Sequence, residues 1–341
     1  MQEYRIALIG FGNVGQAFAR LLLSKEADLA EIGVRFRTVA IATGSHGSAL
    51  APDGIDLGQA VRLADEGREF SSLATAPTPD SPLALIDACN ADVLFENTPV
   101  DYLSGQPGLA HVQAGLEASM HVITANKGPV VHGYRRLTEL AARNGRRFLF
   151  ESTVMDGAPV FGMWRSALPL AHLQSFRGVL NSTTNLILTR MEAGDSFDSA
   201  VAYAQSIGIA ETDPSGDIEG WDAAIKVAAL ATVLMDRPTL PSEVQRHGIE
   251  GLSAEEIQAA TAEGLRWKLI CQADRTSGEL RCQVGPEKVD RADPIYSVSG
   301  TSSAITFHSD VLGALTLTEN DPGPHTTAYG LLADFVSAVS G

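Results

Sequence analysis

Cysteine is scarce in this chain, and the few thiols exclude two classes of protein. There are three cysteines among 341 residues, at Cys89, Cys271 and Cys282. Three is an odd number for a disulfide framework, and the spacing matches no zinc motif. Cys89 lies in an apolar segment, so we expect a buried side chain that acts as a small hydrophobe. This use of cysteine is typical of a reduced compartment and predicts a cytoplasmic protein.

Positive charge and long apolar runs are lacking as well. The chain has 25 Lys and Arg residues against 41 Asp and Glu residues, a formal net charge of −16. This acidity argues against a surface for nucleic acid or for an anionic membrane. No apolar run reaches the ~20 residues that cross a bilayer, since Lys226 interrupts the longest candidate. A strand is predicted within about four residues of the start, so we expect no signal peptide.

Repeats and low-complexity linkers are also lacking, and the acidic residues 53–69 are interpreted as a solvated surface excursion.

A glycine-rich turn near the N-terminus is the first informative motif. Residues 4–10 predict a short buried strand, and residues 16–23 predict a helix. Between them, residues 10–15 match the pattern G-x-G-x-x-G. The pattern alone is weak, but between a strand and a helix it indicates dinucleotide binding rather than a turn without a ligand.

Each residue type in this turn has a physical role. Gly10 permits the tight turn, Gly12 lets the backbone approach a pyrophosphate, and Gly15 lets the helix pack closely on the strand. The helix N-terminus at Asn13 and Val14 would then face the phosphates, because its backbone amides and dipole favour an anion.

The end of the second strand bears on the choice between NADP and NAD. Residues 35–42 predict this strand, and an acid at its end would hold the ribose 2′-hydroxyl of NAD. The chain has instead Thr43, Ser45 and His46, which could accommodate a 2′-phosphate that a carboxylate would repel. The pattern therefore favours NADP, and leaves NAD or a merely polar loop as alternatives.

Strand and helix patterns alternate through about residue 150, which predicts a Rossmann-type doubly wound parallel α/β sheet. Further strands are predicted at residues 93–95, 121–124 and 147–151, and helices at residues 108–118 and 134–144. Ligands of such sheets gather at the carboxyl ends of the strands. Thr98 and Lys127 follow two of these strands, so we expect them at the same edge as the glycine-rich turn.

The character of the sequence changes after Glu151. Strand-like and helical pieces are mixed, with strands at 176–180, 280–284 and 305–308 and helices at 196–206, 222–235 and 253–263. We therefore expect a dinucleotide-binding domain at residues 1–151 and a mixed α+β substrate domain at residues 152–309. Residues 310–341, with a final helix at 326–339, are expected to pack back onto the first domain.

The most distinctive segment is residues 211–226. Four carboxylates lie on a loop and helix start, and Asp222 and Lys226 follow at helical spacing. Residues 223–235 contain no other charge, which predicts an interior helix. Burial disfavours the charged form of a lysine and can prepare it for proton transfer. The alternative is a structural ion pair, since perturbed groups cluster at functional sites but not only there.

Together these segments resemble the homoserine dehydrogenase family almost from end to end. The motifs that carry the resemblance are Asn-Thr-Pro at 97–99, Thr-Ala-Asn-Lys-Gly-Pro at 124–129, Glu-Ser-Thr-Val at 151–154, Asn-Ser-Thr-Thr-Asn at 181–185 and, above all, residues 211–226. The family reduces L-aspartate 4-semialdehyde to L-homoserine with NAD(P)H, on the path to threonine and methionine. It combines a Rossmann domain with a catalytic and dimerisation domain. The resemblance thus implies an NAD(P)-dependent oxidoreductase that forms a homodimer or larger homo-oligomer.

The resemblance also implies roles for individual residues. Lys226 matches the catalytic lysine, and Lys127 matches a second lysine at the cofactor–substrate junction. A lysine can supply the proton that the aldehyde oxygen needs. The substrate would be held by Glu211, Asp222, Asp217 and Thr183. The expected cofactor-binding set is Gly10, Gly12, Asn13, Val14, Gly15, Thr43, Thr98, Lys127, Gly208 and Gly323.

A monovalent cation, usually sodium, belongs to the family near its domain junction. The resemblance would place it at Glu151, Val154, Asp156 and Ala158, with ligands largely from backbone carbonyls. An ordinary strand-to-helix loop is the alternative. We expect neither an aspartokinase domain nor a C-terminal regulatory domain after the last helix.

Three departures from the family pattern leave other functions open. Ser182 replaces a glycine, Ile209 replaces a tyrosine, and residues 322–324 replace a late Gly-Ala-Gly run. One alternative is a related NAD(P)-dependent oxidoreductase acting on another small amino or hydroxy acid. Another is a non-catalytic dinucleotide-binding sensor, which would have no need of a buried lysine with paired acids.

Overall fold

The computed structural model describes residues 1–340. Its chain divides into two compact units, residues 1–159 together with the segment from Gly323 onward, and residues 160–322. The strands are β1 Gln2–Ile9, β2 Val34–Thr43, β3 Gly47–Leu50, β4 Val93–Glu96, β5 His121–Thr124, β6 Phe148–Leu149, β7 Leu173–Val179, β8 Gln245–Arg246, β9 Arg266–Asp274, β10 Arg281–Val289, β11 Ser303–Ser309 and β12 Gly313–Glu319.

The helices follow the same numbering in chain order. They are α1 Asn13–Ser24, α2 Glu26–Glu31, α3 Leu57–Asp65, α4 Pro82–Ala88, α5 Gly108–Glu117, α6 Lys127–Arg143, α7 Val160–Ser166, α8 Ser182–Glu192, α9 Phe197–Ser206, α10 Ser215–Ile218, α11 Trp221–Leu234, α12 Ala254–Ala262 and α13 Pro324–Val339. Short 3-10 turns occur at Phe70–Leu73, Glu151–Thr153 and Pro241–Glu243. Within residues 1–340, no helix is both long and apolar enough to cross a bilayer.

The first unit contains a six-stranded sheet in the order β3-β2-β1-β4-β5-β6. Every neighbouring pair is parallel except the β2–β3 hairpin. This topology confirms the predicted doubly wound sheet. Strands β2 and β3 lie on one side of β1, and β4, β5 and β6 lie on the other. The sheet core includes Phe18 and Phe95, whose ring centroids lie 4.5 Å apart, and Phe335 of α13, 5.8 Å from Phe95.

Two local predictions for this unit were wrong. Residues 53–69 are not a solvated excursion, because they contain α3, whose apolar side chains Leu57 and Leu63 are buried in the core. The acidic residues of the stretch lie on its outer side, and Asp56 begins the helix by accepting a hydrogen bond from the Gln59 amide at 3.0 Å. Helix α6 starts at Lys127 rather than at residue 134.

The second unit contains another six-stranded sheet, in the order β12-β11-β7-β9-β10-β8. Its neighbouring strands are antiparallel apart from the short β8–β10 pair. Helices α8, α11 and α12 pack against β9, and α11 also contacts β10. The predicted interior helix is confirmed, since α11 buries nine of its residues between Ala223 and Thr232.

Candidate active site

The glycine-rich turn has the geometry that a dinucleotide requires. Gly10 has a φ of 93°, and a Cβ at this position would collide with the carbonyl of Asn97. A Cβ on Gly15 would lie 2.5 Å from the Gly10 carbonyl oxygen, so this glycine permits the close approach of α1 to β1. No atom lies within 4 Å of the Cβ position at Gly12, which caps α1 without any side-chain hydrogen bond. The amide end of α1 is therefore open to an anion.

Asn97 provides an independent indication that this edge of the sheet binds a ligand. Its backbone amide donates to the Ile9 carbonyl at 2.7 Å, which fixes it beside the glycine-rich turn. Both polar atoms of its side chain, Oδ1 and Nδ2, are buried without a hydrogen-bond partner. Buried amides are nearly always hydrogen-bonded, because an unmade bond costs about 1–3 kcal/mol. The residues therefore fit a polar ligand such as a dinucleotide, which could supply these bonds.

Thr98 and Lys127 lie at the same edge, at the ends of β4 and β5. Asn126 begins α6 by accepting a hydrogen bond from the Gly128 amide at 2.9 Å. Its Nδ2 donates to the Thr98 carbonyl at 3.1 Å, which connects the two loops. Lys127 is half-buried as the first residue of α6. The structure thus brings these two predicted cofactor residues close to each other within the first unit.

The turn after β2 combines hydroxyls with a carboxylate. Thr43 and Ser45 share a hydrogen bond of 3.1 Å between their Oγ atoms, and the His46 ring packs on Phe70. A Cβ on Gly47 would lie 2.9 Å from Glu69 Oε2, so the fold brings an acid to this hairpin. Glu69 is distant along the chain from β2, so the sequence pattern at the end of this strand did not indicate it.

The second unit assembles a cluster around Lys226. Lys226 Nζ lies 2.9 Å from Asp222 Oδ2 and donates to the Leu180 carbonyl at 2.6 Å. The two side chains are only 14% and 13% exposed, so the pair is shielded from most solvent screening. Asn181 Nδ2 donates to Asp222 Oδ2 at 3.0 Å and to Asp217 Oδ1 at 2.6 Å. One amide thus connects two carboxylates to the lysine.

Asp217 is the carboxylate that this environment perturbs. Burial and the neighbouring charge of Asp222 raise its pKa, in that order of importance, against the hydrogen bonds from Asn181 and Thr183. Like charges held close together in a partly buried site favour the protonated form of one of them. Thr183 is itself buried, and its hydroxyl also lies 3.3 Å from the Ile209 carbonyl oxygen. The cluster can therefore hold charge, accept an ammonium group and exchange a proton.

Comparison with known proteins identifies the group to which this arrangement belongs. The family model for homoserine dehydrogenase matches residues 159–336, and the model for the NAD binding domain of homoserine dehydrogenase matches residues 10–151. The chain belongs to the homoserine dehydrogenase family. It is therefore an NAD(P)-dependent oxidoreductase that binds a nicotinamide dinucleotide and a small-molecule substrate.

Relatives of full length agree with this assignment. A protein described as an NAD(+)-dependent homoserine dehydrogenase from Pseudomonas canavaninivorans is 35% identical over 98% of this chain and 96% of its own length. A homoserine dehydrogenase from Methanocaldococcus jannaschii is 34% identical over 97% of both chains. Among solved structures, a hyperthermophilic archaeal homoserine dehydrogenase in complex with NADPH has a TM-score of 0.83 at 28% identity, covering 99% of this chain and 98% of its own.

The remaining predicted residues of this homoserine dehydrogenase lie at separate places within their units. Glu211 is exposed, and its carbonyl accepts a hydrogen bond from Gln205 Nε2 at 3.1 Å. Gly208 ends the α9 segment with a φ of 75°, and Gly323 precedes α13 as its N-cap. Asn181 and Asn97 were not singled out as site residues. Their signal was that both lie in motifs of the family resemblance, at the start of a helix and at the end of a strand.

The four residues of the predicted cation site lie on one continuous segment of the first unit. Glu151 and Val154 are buried, whereas Asp156 has a φ of 43° and accepts a hydrogen bond from the Thr327 hydroxyl. The Ala158 amide donates to the Met155 carbonyl at 2.8 Å, which closes a turn. Residues 1–340 contain no cluster of three or more His, Cys, Asp or Glu side chains that could hold a metal. A cation here would depend mainly on carbonyl oxygens.

Proposed function

We propose that the chain catalyses the NAD(P)H-dependent reduction of L-aspartate 4-semialdehyde to L-homoserine, a step of threonine and methionine biosynthesis. The observation that carries the proposal is the shielded Lys226–Asp222 pair, connected through Asn181 to Asp217. The reduction consumes one proton at the aldehyde oxygen, and the lysine of this pair can donate it. The bound dinucleotide supplies the hydride to the aldehyde carbon.

In this proposal Lys226 is the catalytic acid. Asp222 Oδ2 lies 2.9 Å from its Nζ, and the Leu180 carbonyl at 2.6 Å fixes the direction of one N–H bond. An ammonium group can stabilise the developing alkoxide and give it a proton, directly or through water. Lys127, half-buried at the start of α6, is proposed as the second catalytic lysine.

The substrate ammonium is assigned to the carboxylates of the second unit. Asp217 and Asp222 each accept a hydrogen bond from Asn181 and retain further lone pairs. Glu211 is exposed on the preceding loop, where it can meet an arriving cation. Thr183, which donates to Asp217, positions that carboxylate for the substrate.

For the cofactor we propose NADPH as the preferred reductant and NADH as an alternative. Support comes from the hydroxyls of Thr43 and Ser45 at the end of β2, which can bind a 2′-phosphate. Glu69 near Gly47 acts in the opposite sense, because its carboxylate would repel that phosphate. We expect Glu69→Gln to raise the ratio of NADPH to NADH use, which initial rates with both cofactors would measure.

We further propose a sodium ion on the segment from Glu151 to Ala158, and a homodimer. The sodium ion is supported by the buried 3-10 turn at Glu151–Thr153, because backbone carbonyl oxygens are donors that hard cations prefer. It predicts higher activity in NaCl than in choline chloride at equal ionic strength.

The homodimer is supported by the outer face of the second sheet. Cys271 is fully buried, whereas the next residue of β9, Gln272, is only half-buried, so Gln272 faces the opposite side of the sheet. There Gln272 Nε2 donates to Gln283 Oε1 at 3.2 Å, and Gln283 Nε2 donates to Gln245 Oε1 at 2.9 Å. This ordered polar row can pair with a second copy. Light scattering should give twice the 36.0 kDa of one chain.

The proposed reaction is tested by following absorbance at 340 nm with purified protein, aspartate semialdehyde and either NADPH or NADH. We expect rapid semialdehyde-dependent loss of absorbance and formation of homoserine. Binding of the dinucleotide without such loss would contradict the proposed substrate. In that case Ser182 and Ile209 would be the first positions to test for a changed specificity.

A further inference from the structure

Glu96 is a buried acid that the proposed reaction does not use. It is the last residue of β4, and its side chain is 0% exposed. Carboxylates are almost never buried to this extent unless they are paired or hydrogen-bonded, because the desolvation of an isolated charge is very unfavourable. A carboxylate buried at the edge of the dinucleotide-binding sheet therefore requires specific hydrogen-bond partners.

The partners of Glu96 are the loops that follow β4 and β5. Its Oε1 accepts hydrogen bonds from the Thr98 amide at 3.1 Å and from the Thr98 hydroxyl. The Thr124 hydroxyl donates to Glu96 through a bond shared between the main-chain carbonyl at 2.7 Å and the side-chain Oε2 at 3.1 Å. His111 Nδ1 lies 3.5 Å from Oε1 and has no hydrogen-bond partner of its own. One carboxylate thus contacts both strand ends, which neither a shorter nor an apolar side chain could do.

The connection continues from Thr124 to the start of α6. Thr124 Oγ1 accepts a hydrogen bond from the Asn126 amide at 2.9 Å, and the Asn126 side chain in turn begins α6 at Lys127. Asn126 Nδ2 then donates back to the Thr98 carbonyl at 3.1 Å. Glu96, Thr98, Thr124 and Asn126 thus form a closed hydrogen-bond network, here called the circuit. Gly108 of α5 leaves space for the Glu96 carboxylate, since a Cβ on this glycine would lie 3.0 Å from Glu96 Oε2.

We propose that Glu96 is a positioning residue of the dinucleotide site, which holds the Thr98 loop and the start of α6 in one fixed arrangement before the cofactor arrives. It acts through Thr98 and Asn126 rather than by touching the substrate. The proposal refines the cofactor half of the proposed function. Pre-organised binding groups raise affinity because less conformational entropy is lost on binding. Loss of the circuit should therefore weaken dinucleotide affinity more than it weakens the fold.

The test uses a matched pair of variants at Thr124 together with Glu96→Ala. Thr124→Val keeps the shape of the side chain but cannot bond Glu96, whereas Thr124→Ser keeps the hydroxyl. The dissociation constant of NADPH is measured from its fluorescence without any semialdehyde, and Tm is measured in parallel. We expect Glu96→Ala and Thr124→Val to raise the dissociation constant about tenfold or more, because each variant removes at least one buried hydrogen bond of the circuit. Thr124→Ser should bind about as tightly as the wild type.

Two outcomes would overturn the proposal. Unchanged NADPH affinity in the folded Thr124→Val variant would mean that the circuit does not position the cofactor. Equal losses of affinity and Tm in Thr124→Val and Thr124→Ser would assign the circuit a structural role only. Because the titration contains no semialdehyde, its result is separate from the identity of the substrate. The exposed acid Glu26, changed to Gln, serves as the control.

Discussion

Lys268 allows a stability prediction whose size follows from the structure. This lysine of β9 is completely buried, and its Nζ donates to Asn185 Oδ1 at 2.9 Å and to the Val298 carbonyl at 2.6 Å. Burial, assisted by the charge of Arg266 and opposed by that of Glu192, lowers its pKa from 10.5 to about 8. Between these values the unfolded chain binds more protons than the folded one. The folded state is therefore destabilised below about pH 8, and that destabilisation disappears as the pH rises towards 10.5.

The gap between the two pKa values corresponds to about 3.5 kcal/mol at about 1.4 kcal/mol per pH unit. We therefore compare the wild type with Lys268→Met, which keeps the length of the side chain but does not titrate. Urea unfolding is followed by far-UV circular dichroism from pH 7 to pH 10. The difference in unfolding free energy should move by about 2.5 kcal/mol in favour of the wild type as the pH rises. Thiol titrations occur in both proteins and cancel in the difference.

The control for this prediction is Lys288→Met, since Lys288 is an exposed lysine on the neighbouring strand β10. This variant shows how the loss of an exposed lysine changes the unfolding free energy over the same pH range. A difference for Lys268→Met that stays constant with pH would refute the reasoning, because it would mean that Lys268 titrates alike in the folded and unfolded states.

Three further predictions concern binding, turnover and thiol chemistry. Gly10→Ala places a Cβ against the Asn97 carbonyl at a positive φ, so we expect a lower Tm and at least about tenfold weaker NADPH binding by fluorescence titration. Asn181→Ala removes the amide between the two aspartates, and kcat should fall about tenfold to a hundredfold while the NADPH dissociation constant is unchanged. Burial raises the pKa of Cys271 to about 12 and of Cys282 to about 11. A thiol reagent at pH 8 should therefore label both slowly in the native protein and rapidly after denaturation; fast native labelling would contradict this.

The first unit could be predicted well from the sequence because its signals are local. A buried strand, a glycine-rich turn and a helix follow one another within residues 2–24, and each is recognisable without knowledge of the rest of the fold. The early start of α6 was missed because Gly128 and Pro129 stand in its first turn. Proline is tolerated there, since the first-turn amides have no partner within the helix.

The second unit was less predictable because its elements depend on distant partners. Strand β9 contains Lys268, a charge that hides the apolar run, and the lysine is accommodated only because α8 and the Val298 carbonyl supply acceptors. Helix α8 begins with polar residues that resemble a loop, yet Asn181 caps it by accepting from the Thr184 amide at 2.8 Å.

The candidate site likewise combines features that are visible locally in the sequence with contacts between distant residues. The Asp222–Lys226 spacing is visible on one helix, and the glycines are visible in one turn. The Glu96–Thr124 contact joins residues 28 positions apart, and the approach of Glu69 to Gly47 depends on how the chain returns after α3. Such contacts are fixed by tertiary packing, so no local pattern predicts them.

The central claim is that Lys226 gives the proton when the semialdehyde is reduced. The most direct test is the kcat of Lys226→Ala for aspartate semialdehyde, with Lys25→Ala, an exposed lysine paired with Asp28, as the control. We expect a fall of at least about a hundredfold, the size typical of a lost acid–base group, while Tm and NADPH affinity stay close to those of the wild type. Near-normal turnover of a folded, cofactor-binding Lys226→Ala protein would contradict the account.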